Sequence, residues 1–208
     1  MMTGFTYKIV DDIVPLEFQE KLKTLMLGDR PINIGSNIIA FPWFYVSDVT
    51  YGENAKKHNK NPALSHFFKA DKDSVADPLL DYVIPIAYMG CYQAQYQYKS
   101  IIQARSFLQF PLSRNLKKSD IDLLHIDSTD PHLVVLYYVV DSDGDTILTS
   151  HKYNQGEVER VDLKAQDHEI IARVTPKQGR ALIFNGSYYH TAEQPSNNIR
   201  CVINFDIA

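Results

Sequence analysis

Residues 174–205 read VTPKQGRALIFNGSYYHTAEQPSNNIRCVINF. Pro176 and Gly179 punctuate a turn, Ala181 to Phe184 alternate as a strand, and Asn185-Gly186 turns the chain again. Tyr188 to Thr191 and Arg200 to Asp206 read as two more strands. Upstream the same rhythm recurs at Asp122 to Asp127, Leu133 to Val140, Thr146 to Ser150 and Glu169 to Val174. Asp130-Pro131 and Asp141-Ser142-Asp143-Gly144 supply turns between them. A buried strand over Ile101 to Phe110 and a polar loop at Pro111 to Asp120 precede the series. Short strands separated by turn chemistry predict an antiparallel sandwich or barrel.

The first hundred residues read differently. A short strand at Phe5 to Val10 leads into a helix carrying Leu16, Leu22, Leu25 and Met26. Pro15 suits its first turn, Asp11 or Asp12 its cap, and Gly28 its end. Ile38 to Val46 is strand-like, and Phe41, Trp43, Phe44 and Tyr45 suit either a substrate groove or the core, of which the core is expected. Ser47 to Asn61 turns polar and reads as a solvated loop with His58. A second helix, offset at Pro85, is expected from Asp77-Pro78 to Tyr92. These helices should pack outside the strands, giving a mainly β protein with flanking helices.

A chain of 208 residues suits a single domain, 1–208, with 1–99 as a supporting region and 100–207 as the core. Its net charge of −4 and lack of a basic run argue against a nucleic-acid-wrapping surface. No signal peptide or membrane-length apolar run is read, so a cytoplasmic protein is expected. Cys91 and Cys201 show no CxxC spacing, and Cys201 reads as a small buried hydrophobe. Oligomeric state is not legible.

The candidate chemistry starts at His125-Ile126-Asp127. On a strand, residues i and i+2 share a face, so this imidazole and carboxylate point the same way. A second histidine from a distant strand, His190, would complete two imidazoles and one carboxylate around a metal. Such a set leaves three adjacent positions open, which suits non-haem Fe(II) and oxygen chemistry.

His125, Asp127, His190 and Arg200, set among these strands, resemble the 2-oxoglutarate/Fe(II)-dependent dioxygenases. That family's pattern is HxD, a distal histidine, then arginine or lysine about ten residues on. Here His190 lies 63 positions after Asp127, and Arg200 follows ten later. The segment 174–205, together with LYYVVDSDGDT at 136–146, is similar to the prolyl-4-hydroxylase-like subgroup and to phage and bacterial relatives. The resemblance covers roughly residues 100–207. It implies a double-stranded β-helix (jelly roll) fold, with Fe(II), 2-oxoglutarate as co-substrate and O2 as cofactors.

By that resemblance His125, Asp127 and His190 hold the metal, and Arg200 pairs with the far carboxylate of 2-oxoglutarate, which a guanidinium fork suits. Val202 and Asn204 share Arg200's strand face, and Asn204 is the expected polar helper there. Tyr138 is expected to hydrogen-bond the same carboxylate, with Tyr137 facing away; a one-residue slip exchanges them. The implied activity is hydroxylation of a C–H bond, releasing succinate and CO2, on a prolyl or other amino-acid, peptide or small-molecule substrate. A nucleobase oxidative demethylase is the alternative, though residues 201–208 lack the further arginine such enzymes carry. A cupin-like, non-catalytic metal-binding module is another.

The remaining polar residues read more plainly. His132 is expected in a surface turn, and His58, His66, His151 and His168 in solvent. Asp143 and Asp145 serve turn chemistry, and Arg105 and Arg180 make strand-edge salt bridges.

Overall fold

A computed structural model of the chain describes residues 5–28, 32–34, 37–49, 61–117, 119–157, 160–161 and 168–208. The expectation of a solvated loop from Ser47 to Asn61, with His58, falls largely on 50–60, outside the described residues.

In chain order the first elements are β1 (Tyr7–Val10), α1 (Leu16–Leu27), β2 (Ile32–Ile34), β3 (Asn37–Ile39), β4 (Phe44–Val46), β5 (Ala63–Lys69) and α2 (Leu80–Ala94). Then come β6 (Ile101–Gln109), β7 (Leu124–His125), β8 (Leu133–Tyr138), β9 (Thr146–Lys152) and β10 (Arg160–Val161). The chain closes with β11 (Ile170–Val174), β12 (Ala181–Asn185), β13 (Tyr188–Ala192) and β14 (Arg200–Ile207).

The strands form a seven-stranded sheet, ordered β1-β12-β8-β14-β6-β5-β4, and a five-stranded sheet, ordered β10-β7-β13-β9-β11. β2 and β3 form a separate two-stranded sheet among the described residues. Every pairing within both large sheets is antiparallel. Of the eight strands β6 to β9 and β11 to β14, β6, β8, β12 and β14 lie in the larger sheet and β7, β9, β11 and β13 in the smaller, the arrangement of a double-stranded β-helix. β1, β4 and β5, from the first hundred residues, extend its larger sheet.

Alternation along β8 explains why both of its faces are buried. Leu133, Val135 and Tyr137 pack with Leu22, Met26, Val83 and Ile86 of the helices. Val134, Leu136 and Tyr138 pack instead with Leu148, Val174 and Val202, between the sheets. Such a strand reads as an unbroken apolar run because neither side meets water. β14 divides the same way: Cys201, Ile203, Phe205 and Ile207 join the helix side, leaving Arg200, Val202, Asn204 and Asp206 to the interior.

α1 starts after Pro15, with no side-chain cap, and Gly28 N–H bonds Thr24 O at its end. Leu16, expected on its packing face, is 66% exposed, because the buried stripe is Gln19, Leu22, Leu25 and Met26. In α2 the buried residues Val83, Ile86, Ala87, Gly90 and Cys91 recur at helical spacing around Pro85. Gly90 permits close approach to β8: a Cβ there would lie 2.4 Å from Val135 Cγ2. No helix among the described residues is long and apolar enough to cross a membrane.

Three expectations are corrected. Phe44 and Tyr45 are exposed, since β4 is an edge strand, whereas Phe41 and Trp43 do pack against the core. His66 is buried, ringed by Phe41 and Phe68, with Nδ1 against Pro42 O. His132 is 1% exposed; its Nδ1 bonds Asp130 O, and Gly186 makes room for its ring.

Candidate active site

β7 is only two residues long, yet its pairing with β13 sets His125 directly opposite His190. Directly opposed residues on antiparallel strands share a face, and the two ring centroids lie 4.4 Å apart. Asp127 follows two residues later. Its Oδ1 lies 3.6 Å from His125 Nε2 and its Oδ2 3.3 Å from His190 Nε2. One ligand atom from each residue falls within 4.8 Å of the others. On the opposite face Leu124, Ile126 and Tyr189 pack together and fix the segment.

The imidazoles are oriented from behind. His125 Nδ1 lies 3.0 Å from Leu123 O, and His190 Nδ1 3.4 Å from Tyr188 O. Each carbonyl accepts a proton held on Nδ1, which leaves the Nε2 lone pairs turned toward Asp127, as a metal requires.

Asp127 is the hub. Arg105 forms an ion pair with its Oδ1, and Asn204 Nδ2 donates to its Oδ2 at 3.1 Å. Burial pushes this carboxyl's pKa up, but the Arg105 guanidinium beside it opposes that, and the group is held well below its usual range. It is therefore an anion. Two imidazoles and one anionic carboxylate, converging with nitrogen lone pairs available, fit an Fe(II) ion.

The cavity, about 430 Å³ in volume, runs from this cluster to Arg200. Arg200 and Asn204 are four residues apart on β14, so their Cα atoms are separated by about 13 Å. Val202 lies between them, level with Phe107 of β6 and Tyr138 of β8. Arg200 Nε donates to Gly144 O, one terminal nitrogen to Gln109 Oε1 and the other to Thr146 Oγ1, at 2.9–3.1 Å. Among the described residues no carboxylate ion-pairs with it, although it is only 4% exposed. A buried guanidinium that faces a cavity and ion-pairs with no carboxylate among the described residues fits an anionic ligand such as a carboxylate.

Tyr138 faces this interior and donates to Thr146 Oγ1 at 2.8 Å. Tyr137 faces the helices, its hydroxyl buried. Asn204 lies at the Asp127 end, not beside Arg200, and also donates to Asp206 Oδ1. Gln109, Thr146 and Asp122 fill the polar places around Arg200. Asp122 accepts from Asn61, Gln109 and Gln194. Burial raises its pKa to about 6, against the pull of those hydrogen bonds and of Arg200.

Arg105, expected in a strand-edge salt bridge, instead lines the cavity and pairs with buried Asp127; sequence reasoning missed Gln109, Asp122 and Thr146. On β6 the face bearing Arg105, Phe107 and Gln109 looks like the solvent side of a strand. Only the register, with Arg105 opposite Asn204 and Gln109 opposite Arg200, turns that face into the cavity. Arg180 does make a surface salt bridge, to Asp11.

No family model matches the sequence, and no curated protein does. Solved structures do match. A 2OG-Fe(II) oxygenase-family oxidoreductase from Burkholderia pseudomallei aligns with TM-score 0.61 at 10% identity, over 98% of this chain and 85% of that one. The non-heme alpha-ketoglutarate-dependent carbocyclase SnoK of nogalamycin biosynthesis gives 0.62 at 12%, over 98% and 79%. The viral collagen prolyl hydroxylase vCPH from Paramecium Bursaria Chlorella virus-1 gives 0.53 at 9%, over 100% and 98%. The chain therefore has the fold of the 2OG-Fe(II) oxygenases, a double-stranded β-helix. Its His-Asp-His cluster and its arginine open into one cavity of that fold.

Proposed function

We propose that the whole chain is one domain of a 2-oxoglutarate- and Fe(II)-dependent dioxygenase. Its reaction is hydroxylation of a C–H bond, with release of succinate and CO2, and its substrate is a prolyl or other amino-acid or peptide group. One observation carries this reading: a buried guanidinium without a carboxylate partner shares a cavity with a converging two-histidine, one-aspartate cluster.

His125, Asp127 and His190 would hold Fe(II), and Arg200 the far carboxylate of 2-oxoglutarate. Bound there, the metal with 2-oxoglutarate and O2 supplies the oxidising power for replacing C–H by C–OH. The protein's own contribution is positional. The Leu123 and Tyr188 carbonyls fix the imidazole tautomers, and Asp127 contributes a charge balancing that of the metal. Gln109, Thr146 and the Gly144 carbonyl lock the guanidinium, so little freedom is lost when a carboxylate binds. Val202, Phe107 and Leu136 wall the middle of the cavity and keep it apolar. The prolyl-hydroxylase-like wording of 174–205 and the likeness to vCPH support the amino-acid or peptide substrate.

The test is succinate release from purified protein given Fe(II), 2-oxoglutarate and O2. Slow turnover is expected without added substrate, and none in Asp127→Ala. Tight zinc binding with neither 2-oxoglutarate binding nor turnover would instead establish a non-catalytic metal-binding module.

A further inference from the structure

Arg105 is a second cation in the cavity, and neither the metal nor the far carboxylate of 2-oxoglutarate accounts for it. It projects from β6, level with Asn204 on one side and Phe67 of β5 on the other. Its guanidinium rests against the Phe107 ring, 5.5 Å from the centroid, an arrangement that favours a desolvated cation. One terminal nitrogen pairs with Asp127, while Nε is buried with no partner among the described residues. A guanidinium has five N–H donors, so this one has capacity beyond a single carboxylate oxygen.

Its place differs from that of Arg200. The Arg105 side chain is 15% exposed, and the row leading out from it is aromatic. Phe67 and Tyr45 line the same cavity and are 44% and 71% exposed. Something entering from solvent meets aromatic surface first and a cation next, beside the metal cluster. Arg200, at the far end, is reached only through the cavity.

We infer that Arg105 recognises a carboxylate of the substrate that is hydroxylated. That substrate is then a free amino acid, or the C-terminal residue of a peptide, with an apolar body against Phe67 and Tyr45. A residue inside a chain has no such carboxylate. The inference rests on the function proposed above, because it assigns 2-oxoglutarate to Arg200 and the metal.

The experiment uses the full chain loaded with Mn(II) and 2-oxoglutarate without O2, so that nothing turns over. The common L-amino acids and their N-acetyl forms are titrated calorimetrically, each beside its primary amide. At least one acid is expected to bind about tenfold or more tightly than its amide, as a charge-assisted bidentate pair allows. Arg105→Gln should erase that difference while moving the 2-oxoglutarate Kd by less than about threefold. Arg105→Lys, which keeps the charge beside Asp127, should retain part of it, and serves as the working variant if Arg105→Gln no longer holds Mn(II). The inference is overturned if no acid is preferred to its amide, or if the preference survives undiminished in Arg105→Gln or, where that variant no longer holds Mn(II), in Arg105→Lys. It also fails if 2-oxoglutarate affinity falls in step, since Arg105 would then serve the co-substrate. If wild-type protein with Mn(II) does not bind 2-oxoglutarate at all, the proposed function itself fails.

Discussion

Asp122 is a carboxyl surrounded by amide donors and cut off from water, and its charge is finely placed. Its pKa is about 6, against 3.8 for an unperturbed aspartate, so the folded chain binds the proton more tightly than the unfolded one. The stabilisation from that proton is complete below pH 3.8 and is lost as pH rises through about 6. Between pH 4 and 7 the stability of the wild type relative to Asp122→Asn should therefore fall by about 2 kcal/mol. Urea unfolding of both proteins across that range measures it, and a flat difference would contradict the assignment. At the opposite pole of reasoning stands Arg200, where a charge is expected to matter through binding. Arg200→Ala should weaken 2-oxoglutarate by about a hundredfold, the effect of removing one partner of a buried charge pair, and leave Mn(II) affinity nearly unchanged. Equal loss of both would remove Arg200 from its assigned role. Single residues of this kind were legible where the resemblance to a family pattern pointed to them, as with His125, Asp127, His190 and Arg200. No such pattern pointed to Asp122, because its meaning comes from Asn61, Gln109 and Gln194, which lie far from it in sequence.

Elements were legible where burial leaves a periodic trace. β8, β12 and β14 read as strands because apolar side chains fill their helix-facing sides, and α2 because its buried residues recur every three or four positions. β6 was legible as a strand but not as a cavity wall, since a polar face turned to solvent and one turned to a ligand have the same composition. β4 misled in the other direction. Its aromatic run resembled core, but an edge strand leaves Phe44 and Tyr45 uncovered. What sequence also hides is how closely elements approach, and Gly90 is the clearest case. Alanine there would gain up to about 1 kcal/mol in helix propensity. The added methyl would press on Val135, whose Cγ2 would lie 2.4 Å away, and overpacking costs about 1–3 kcal/mol. Val135 lies on a strand hydrogen-bonded on both sides, so little relaxation is available. Gly90→Ala is expected to lower the urea midpoint without changing the slope; a raised midpoint would show that α2 can lift from β8.

The site belongs to neither sheet alone. His125 and His190 stand on the five-stranded sheet, with Asp127 just past the end of β7, while Arg105, Asn204 and Arg200 stand on the seven-stranded one. Four polar links cross between the sheets: Arg105 and Asn204 to Asp127, Arg200 and Tyr138 to Thr146. A metal held by one sheet and a dicarboxylate reaching from that metal to Arg200 on the other would clamp the two together. Ligands binding only the assembled arrangement stabilise it by mass action, about 2.7 kcal/mol at a concentration a hundred times Kd. Mn(II) alone should raise Tm, and 2-oxoglutarate should raise it substantially only when Mn(II) is present. Linkage makes the coupling reciprocal, so the factor by which Mn(II) tightens 2-oxoglutarate must equal the factor by which 2-oxoglutarate tightens Mn(II). Calorimetric titrations in both orders measure the two factors. Asp127→Ala should abolish the metal's shift, and Arg200→Ala should keep that shift while removing the further one from 2-oxoglutarate. Independent binding, with both factors near one, would mean that metal and dicarboxylate do not meet in this cavity, and the clamp across the sheets would have to be abandoned.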